Sequence, residues 1–300
     1  MLEEIIDEKF KKQIFFLLNN NWTGSGDVYF PLQNSVNIEK QYLFKLKNFD
    51  YIFYKKDTQE TKRAILFLFT DKRGENIAVI IFKDLKIYKV NIMCPDEYYI
   101  SSIFDISYAE DELCIYDTFL ISGKKINKFK YLDRILEAET FTHNYIKADI
   151  NITVTEYFKS ISYLKDSLTE NDELFMIPND LPIITGTNYA CFKWKPAHLI
   201  TFSLLVKENA ENLNLYSTKF KKEILFATIY NSDPQGKEDI NCIKKLENYK
   251  DGCIIDINIL NKIEIIGVNT FKTIPNTIRS IEKILSIKKE NLKLSDIEFN

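Results

Sequence analysis

The stretch from Asp172 to Val206, DELFMIPNDLPIITGTNYACFKWKPAHLITFSLLV, constrains this chain more than any other. Cys191 to Lys195 reads as a short strand with Phe192 and Trp194 on one face. Alternation puts Lys193 and Lys195 together on the other face, roughly 7 Å apart. Two ammonium groups on one strand face are costly to bury unless they meet an anion such as a polyphosphate. On its own, a Lys-x-Lys pair reads more often as a solvated strand face. Pro196 offers no N–H to a ladder, so the strand ends there.

The chain on either side of Pro196 has two characters. Before it, Leu2, Ile5, Ile6, Phe10, Ile14, Phe15 and Leu18 follow a helical period, which predicts a helix over residues 2–19. A turn-rich loop from Asn19 to Asp27 and a short helix ending near Asn48 follow. From Tyr51 to Tyr131 the runs YIFY, AILFLF, NIAVIIF, KIYKVNI and ELCIYDTFLI read as strands, with Asp71–Gly74 and Ser122–Lys125 as turns. Tyr131–Phe141 and Tyr157–Leu168 read as helices. After Pro196, TFSLLVK, LNLYST, EILFATIY, GCIIDINI and KIEIIGV are five short strands, the count of a small OB-type barrel. Ile278, Ile281, Ile284 and Leu285 share one face of a closing helix, Asn276–Lys289. The expectation is an α+β chain of two domains. The first spans 1–196, with the C-terminal helix 276–300 packed back on it, and an OB fold spans 197–275.

Charge and cysteine usage narrow the function classes. The net charge is −3, so no global field draws the chain to nucleic acid and any RNA contact needs a local patch. Cys94, Cys114, Cys191, Cys242 and Cys253 show no CxxC spacing, which speaks against zinc and against a disulfide framework. They read as reduced cysteines of an intracellular protein, nuclear or cytoplasmic and not secreted. No apolar run approaches the length of a membrane span, and the acidic amphipathic N-terminus is unlike a signal peptide. His143 and His198 show no partner pattern and read as structural.

Lys193-Trp194-Lys195-Pro196, with the loop Leu181–Gly186 before it and Ala197–Phe202 after it, resembles motif V of the mRNA capping guanylyltransferases. Other segments are similar to that family in the same order. Phe30-Pro31-Leu32-Gln33 looks like its early Phe-Pro segment. Lys55-x-Asp57 has the spacing of motif I, with Lys56 the alternative from an ungapped count and Arg63 reached after a small insertion. Thr58 or Gln59 stands where that motif has glycine. Asp105 remains of motif III, without its glycine and glutamate. Tyr116, with Gly123 and Leu132-Asp133-Arg134 beyond it, follows motif IIIa. Asp172 stands in motif IV, with Glu173 in place of glycine. Lys272, Pro275 and Asn276 remain of motif VI.

The resemblance implies an α+β nucleotidyltransferase domain like those of DNA ligases and capping enzymes, followed by an OB-fold barrel. It implies a lysine, Lys55 or alternatively Lys56, that attacks the α-phosphate of GTP and passes GMP to a diphosphate 5′ end of RNA. Arg63, Asp105, Tyr116, Lys193, Lys195 and Lys272 would contact the nucleotide, Tyr116 by stacking on guanine. Mg2+ or Mn2+ would assist, with Asp172 a candidate ligand. An RNA triphosphatase subunit or a phosphorylated polymerase tail would be the partner. The departures in motifs I, III, IV and VI leave two alternatives open. One is an inactive relative that binds nucleotide, cap or a capping or transcription partner; the other is a plain interaction module.

Overall fold

The structure, a computed structural model, describes residues 2–23, 30–57, 61–109, 111–145, 147–164, 167–169, 172–259, 263–270, 272 and 274–297, with Asp57 as backbone alone. Residues 24–27 of the expected loop, Thr58 and Gln59 of the motif I segment, Phe271 and Thr273 of the motif VI segment and the last three residues lie outside this set. The chain divides into two units, Met1–Trp194 with Ile297–Asn300, and Lys195–Asp296.

The first unit begins with β1 (Glu3–Glu4), α1 (Glu8–Trp22), β2 (Gln33–Asn37), α2 (Leu43–Asn48), β3 (Tyr51–Asp57), β4 (Lys62–Thr70) and β5 (Asn76–Phe82). It continues with β6 (Ile87–Val90), β7 (Ile92–Met93), β8 (Ser102–Ala109), β9 (Glu112–Ile121), β10 (Lys124–Lys125), α3 (Tyr131–Asn144), β11 (Lys147–Ala148), β12 (Asn151–Val154), β13 (Asp172–Pro178) and β14 (Gly186–Trp194). The expected helix over residues 2–19 starts later than its apolar period suggests. Asp7 accepts from the backbone N–H groups of Lys9 (2.8 Å) and Phe10 (3.4 Å), which fixes the helix start there. Glu3 and Glu4 instead pair with Lys89 and Tyr88 in a sheet. Tyr157–Leu168 also differs from expectation. Phe158 bridges to Phe53 in sheet fashion and a 3₁₀ turn covers Ile161–Tyr163, while Lys165 and Asp166 of that segment lie outside the described residues.

The large sheet runs β1-β6-β5-β4-β8-β9-β10, with β12 added parallel to β9. Its central strand β4 is apolar from Ala64 to Phe69 because both faces are covered there. Ala64, Leu66 and Leu68 share a cluster with Phe104, Ala138 and Phe141, the last two from α3. Ile65, Phe67 and Phe69 share another with Ile14, Leu18 and Trp22 of α1. Each such Leu, Ile or Phe side chain, fully buried, stabilises the fold by about 1.5–3 kcal/mol. Between β4 and β9 lies β8, SIFDISYA, which the sequence reading passed over because Ser102, Asp105 and Ser107 interrupt its apolar run. The smaller sheet, β2-β14-β13-β3, lays Ile52, Tyr54, Ile177 and Cys191 against Tyr116, Tyr131 and Ile135. That packing brings β3, β13 and β14 over β9 and α3.

The second unit holds β15 (Phe202–Asn209), β16 (Asn212–Lys219), β17 (Lys222–Ile229), α4 (Pro234–Lys244), β18 (Ile254–Ile259), β19 (Ile263–Val268) and α5 (Ile278–Glu290). The short α6 (Leu294–Ile297) closes the described chain. The sheet order is β17-β16-β15-β18-β19. A three-strand meander, a helix, then a fourth strand returning beside the first is OB-type connectivity, and the five expected strands correspond to these five. Asp233 caps α4 by accepting from Gly236 N–H, and a Cβ at Gly236 would lie 2.2 Å from the Tyr230 carbonyl oxygen. The placement expected for the closing helix is corrected. Ile281, Ile284 and Leu285 of α5 pack with Phe202, Leu204, Leu215 and Ile257 of the barrel, so α5 belongs to the second unit. The apolar stripe was legible, but its partner is the nearer barrel core. Among the described residues no helix is long and apolar enough to cross a membrane.

Candidate functional site

Strand alternation selects which lysine of β3 enters the first unit. Ile52, Tyr54 and Lys56 share one face and Phe53 and Lys55 the other. In the antiparallel register, Lys56 lies opposite Glu173 and Tyr54 opposite Phe175 of β13. Phe175 in turn lies opposite Lys193 of β14. One sheet face therefore carries Lys56, Glu173, Tyr54, Phe175 and Lys193 on adjacent rungs. The Tyr54 and Phe175 rings stack with centroids 5.0 Å apart and planes 3° from parallel. Lys193 Nζ lies 3.7 Å from Glu173 Oε2.

The large sheet supplies the groups facing this rung. Lys56 Nζ sits over the Tyr116 ring, 5.0 Å from its centroid. Tyr116 accepts a hydrogen bond from Ser107 Oγ (3.2 Å) across β8 and β9. Arg63 Nε donates to Asp105 Oδ1 (2.9 Å) and Nη2 to Asp105 Oδ2 (2.5 Å), a fork-on-carboxylate pair. Arg63 also donates to the Gln33 carbonyl (2.6 Å). Burial works against the Arg63 charge, but the Asp105 carboxylate outweighs it and holds the guanidinium above its usual range.

Both lysines are poised near neutrality. Burial, then the Arg63 charge and Lys193, lower Lys56 to about 8, against the opposing pull of Asp105 and Cys114. Burial and Arg63 lower Lys193 to about 8. An amine in that range is uncharged in part at physiological pH, as a nucleophile needs, and its charged neighbours suit a phosphate.

The structure thus gathers Lys56, Arg63, Asp105, Tyr116 and Lys193. It does not place Lys55 with them: its amine lies on the opposite strand face and donates to the Ser167 carbonyl (2.8 Å), so of the two lysines Lys56 is the one that lies at this site. Asp172 also alternates away from Glu173 and accepts from Thr169 N–H (2.7 Å) and Oγ (2.9 Å), closing a loop. Tyr116 is 8% exposed, its ring against Tyr54 at 5.2 Å and under the Lys56 amine, so it presents no open platform for a base.

Lys195 and Lys272 belong to the second unit. Burial lowers Lys195 to about 8. Lys272 donates to Ser203 Oγ (2.7 Å) and Asn276 Oδ1 (3.1 Å), and burial lowers it while Asp256 opposes. Asn276 also accepts from Ser203 N–H (2.7 Å), so Lys272 ties the segment after β19 to β15.

The Mg2+ or Mn2+ that the resemblance implies finds no fitting donor set here. Both Asp105 oxygens are engaged by Arg63, Glu173 faces Lys193, and Asp172 closes its loop. Among the described residues no group of three His, Cys, Asp or Glu side chains could hold a metal ion.

Sequence reasoning missed Glu173, treating it only as a departure from glycine. Its signal was present: in DELFMIP, alternation sets this carboxylate with Phe175 and Ile177, and it is 4% exposed. Also unforeseen is the Arg134–Asp117 pair beneath the site, with Nε to Oδ1 at 2.8 Å and Nη2 to Oδ2 at 3.0 Å. Arg134 is 1% exposed and further donates to the Phe129 carbonyl (2.6 Å), which fixes α3 on β9.

No family model matches the chain. Among solved structures it is similar to a Lig E DNA ligase, at 10% identity and a TM-score of 0.37, over 81% of this chain and 100% of that one. It is similar to a mycobacterial DNA ligase D complexed with ATP and MES, at 9% identity and a TM-score of 0.40, over 81% and 95%. The ATP-dependent DNA ligase from bacteriophage T7, in complex with ATP, aligns at 11% identity and a TM-score of 0.38, over 80% of this chain and 98% of that chain.

Proposed function

We propose that this protein is an mRNA 5′-guanylyltransferase whose nucleophile is Lys56. The observation that carries this reading is the convergence of Lys56 and Lys193, on one face of the smaller sheet, with the Arg63–Asp105 pair of the large sheet that faces them. The neutral Lys56 amine attacks the α-phosphorus of GTP. A P–N bond forms, the bond to the β-phosphate oxygen breaks, and pyrophosphate leaves with the electron pair while the amine sheds a proton. Lys193 and Arg63 place positive charge where the phosphate gains negative charge. A terminal oxygen of a diphosphate RNA end then attacks, the P–N bond breaks, and the amine recovers a proton. GTP and RNA enter from the resemblance of Lys193-Trp194-Lys195-Pro196 and its flanks to the capping family, as do a triphosphatase subunit or polymerase tail as partners.

A second reading, nucleotide or cap binding without transfer, is favoured by the buried Tyr116 and by the engagement of Asp105 with Arg63. Incubation with α-labelled GTP and Mg2+ or Mn2+, followed by a denaturing gel, separates the two. Transfer leaves label on the denatured chain. Binding alone leaves none, although filter retention of GTP persists.

A further inference from the structure

The turn between β16 and β17 is built against local preference. Lys219 pairs directly with Lys222 across the hairpin, two like charges on its last rung. The two residues between them, Phe220 and Lys221, both take left-handed backbone, with φ of 51° and 64°. Hairpins of this kind are normally turned by Asn-Gly or Gly-Gly, because other side chains resist positive φ. Phe220 gains no packing in exchange: it is 82% exposed, the most exposed large apolar side chain among the described residues. The nearby carboxylate, Glu223, is bound to Lys207 at 2.6 Å. Among the described residues none of Lys219, Lys221 and Lys222 has an ion pair within 4 Å. The hairpin tip is thus an exposed aromatic ring among three uncompensated cations.

We propose that this tip, Lys219-Phe220-Lys221-Lys222, binds single-stranded RNA, with a base stacked on Phe220 and backbone phosphates between the lysines. A phosphate placed there relieves the Lys219–Lys222 repulsion, and every base has a face that a phenyl ring can stack on. The chemistry is local, as a chain of net charge −3 requires. The inference rests on the RNA acceptor of the proposed function and assigns part of that strand a contact on the barrel.

The test is fluorescence anisotropy of a short labelled oligouridylate with the full chain, without GTP, over a salt series. Phe220→Ala should weaken binding about tenfold, and Phe220→Trp should restore it, since the loss of one stacked base is of that order. Lys221→Ala should flatten the plot of log K against log salt by about 0.7, the share of one single-strand phosphate contact. Affinity and slope unchanged in both variants would overturn the proposal. So would hairpin-dependent binding to anionic phospholipid vesicles in place of the oligouridylate. Because no GTP is present, failure of lysine transfer leaves this measurement intact, and failure of RNA binding leaves the GTP-labelling experiment intact.

Discussion

Glu173 lies directly opposite Lys56 across the β3–β13 pair and approaches Lys193 to 3.7 Å, so one carboxylate stands among the two amines of the site. A negative charge at that distance favours the protonated form of Lys193. Burial and Arg63 act in the other direction and prevail.

Glu173→Gln removes the opposing charge. The pH at which lysyl–nucleotide formation is half-maximal should then move down, since a carboxylate on the rung opposite an amine favours its charged form. The rate of label incorporation across a pH series gives the midpoint. An unchanged or raised midpoint would show that Glu173 does not face the reacting amine.

In the unmodified protein, adduct formation should climb with pH and level off near 8, where Lys56 loses its proton. Stability carries the same signature. The folded amine releases its proton near 8, whereas the unfolded one holds it to about 10.4, so between these values the unfolded chain binds the extra proton and Lys56 adds stability as pH rises. Below about 8 both states are protonated, and the folded state carries the full cost of a buried charge. Lys56→Met should therefore be more stable than the parent at pH 7, with a gap that narrows toward pH 10. Urea midpoints of the two proteins across that range measure it, and a gap that widens contradicts the assignment.

Much of the fold was legible because apolar runs and turns mark it. AILFLF and NIAVIIF name β4 and β5, and Pro196 stands two residues beyond the end of β14 at Trp194. Lys193 and Arg63 of the candidate site were singled out by the sequence, but the geometry that gathers them was not legible there. A lysine pair such as Lys55–Lys56 reads equally well with either face inward. Only the rung opposite Glu173 and the aromatic wall of Tyr54, Phe175 and Tyr116 decide for Lys56. β8 escaped notice because Asp105 and Ser107, polar residues that serve Arg63 and Tyr116, break its apolar pattern. The final helix was found but misplaced, since an Ile/Leu stripe says that a face is buried and not against what.

Asp117→Ala should cost about 3–5 kcal/mol, because it strands the Arg134 guanidinium without its carboxylate inside the protein. Burial already holds the Asp117 carboxyl above its usual range, with Arg134 opposing. Chemical denaturation of the full chain reads this directly. A loss under 1 kcal/mol would mean that the pair is not buried as described.

Gly236→Ala should destabilise the second unit by about 1–3 kcal/mol, since the new methyl meets the Tyr230 carbonyl oxygen at the start of α4. A thermal melt followed by near-ultraviolet circular dichroism would show an earlier transition. An unshifted melt would mean that the turn before α4 is looser than this packing.

The central claim, that Lys56 and not Lys55 is the nucleophile, rests on one choice of strand face. The direct measurement is incubation with α-labelled GTP, acid and alkali treatment of the labelled chain, and peptide mapping by mass spectrometry of the parent, Lys55→Ala and Lys56→Ala proteins. The account predicts an acid-labile, alkali-stable label on the Lys56 side chain, retained in Lys55→Ala and absent from Lys56→Ala. A label that survives Lys56→Ala, or that maps to Lys55, would contradict it.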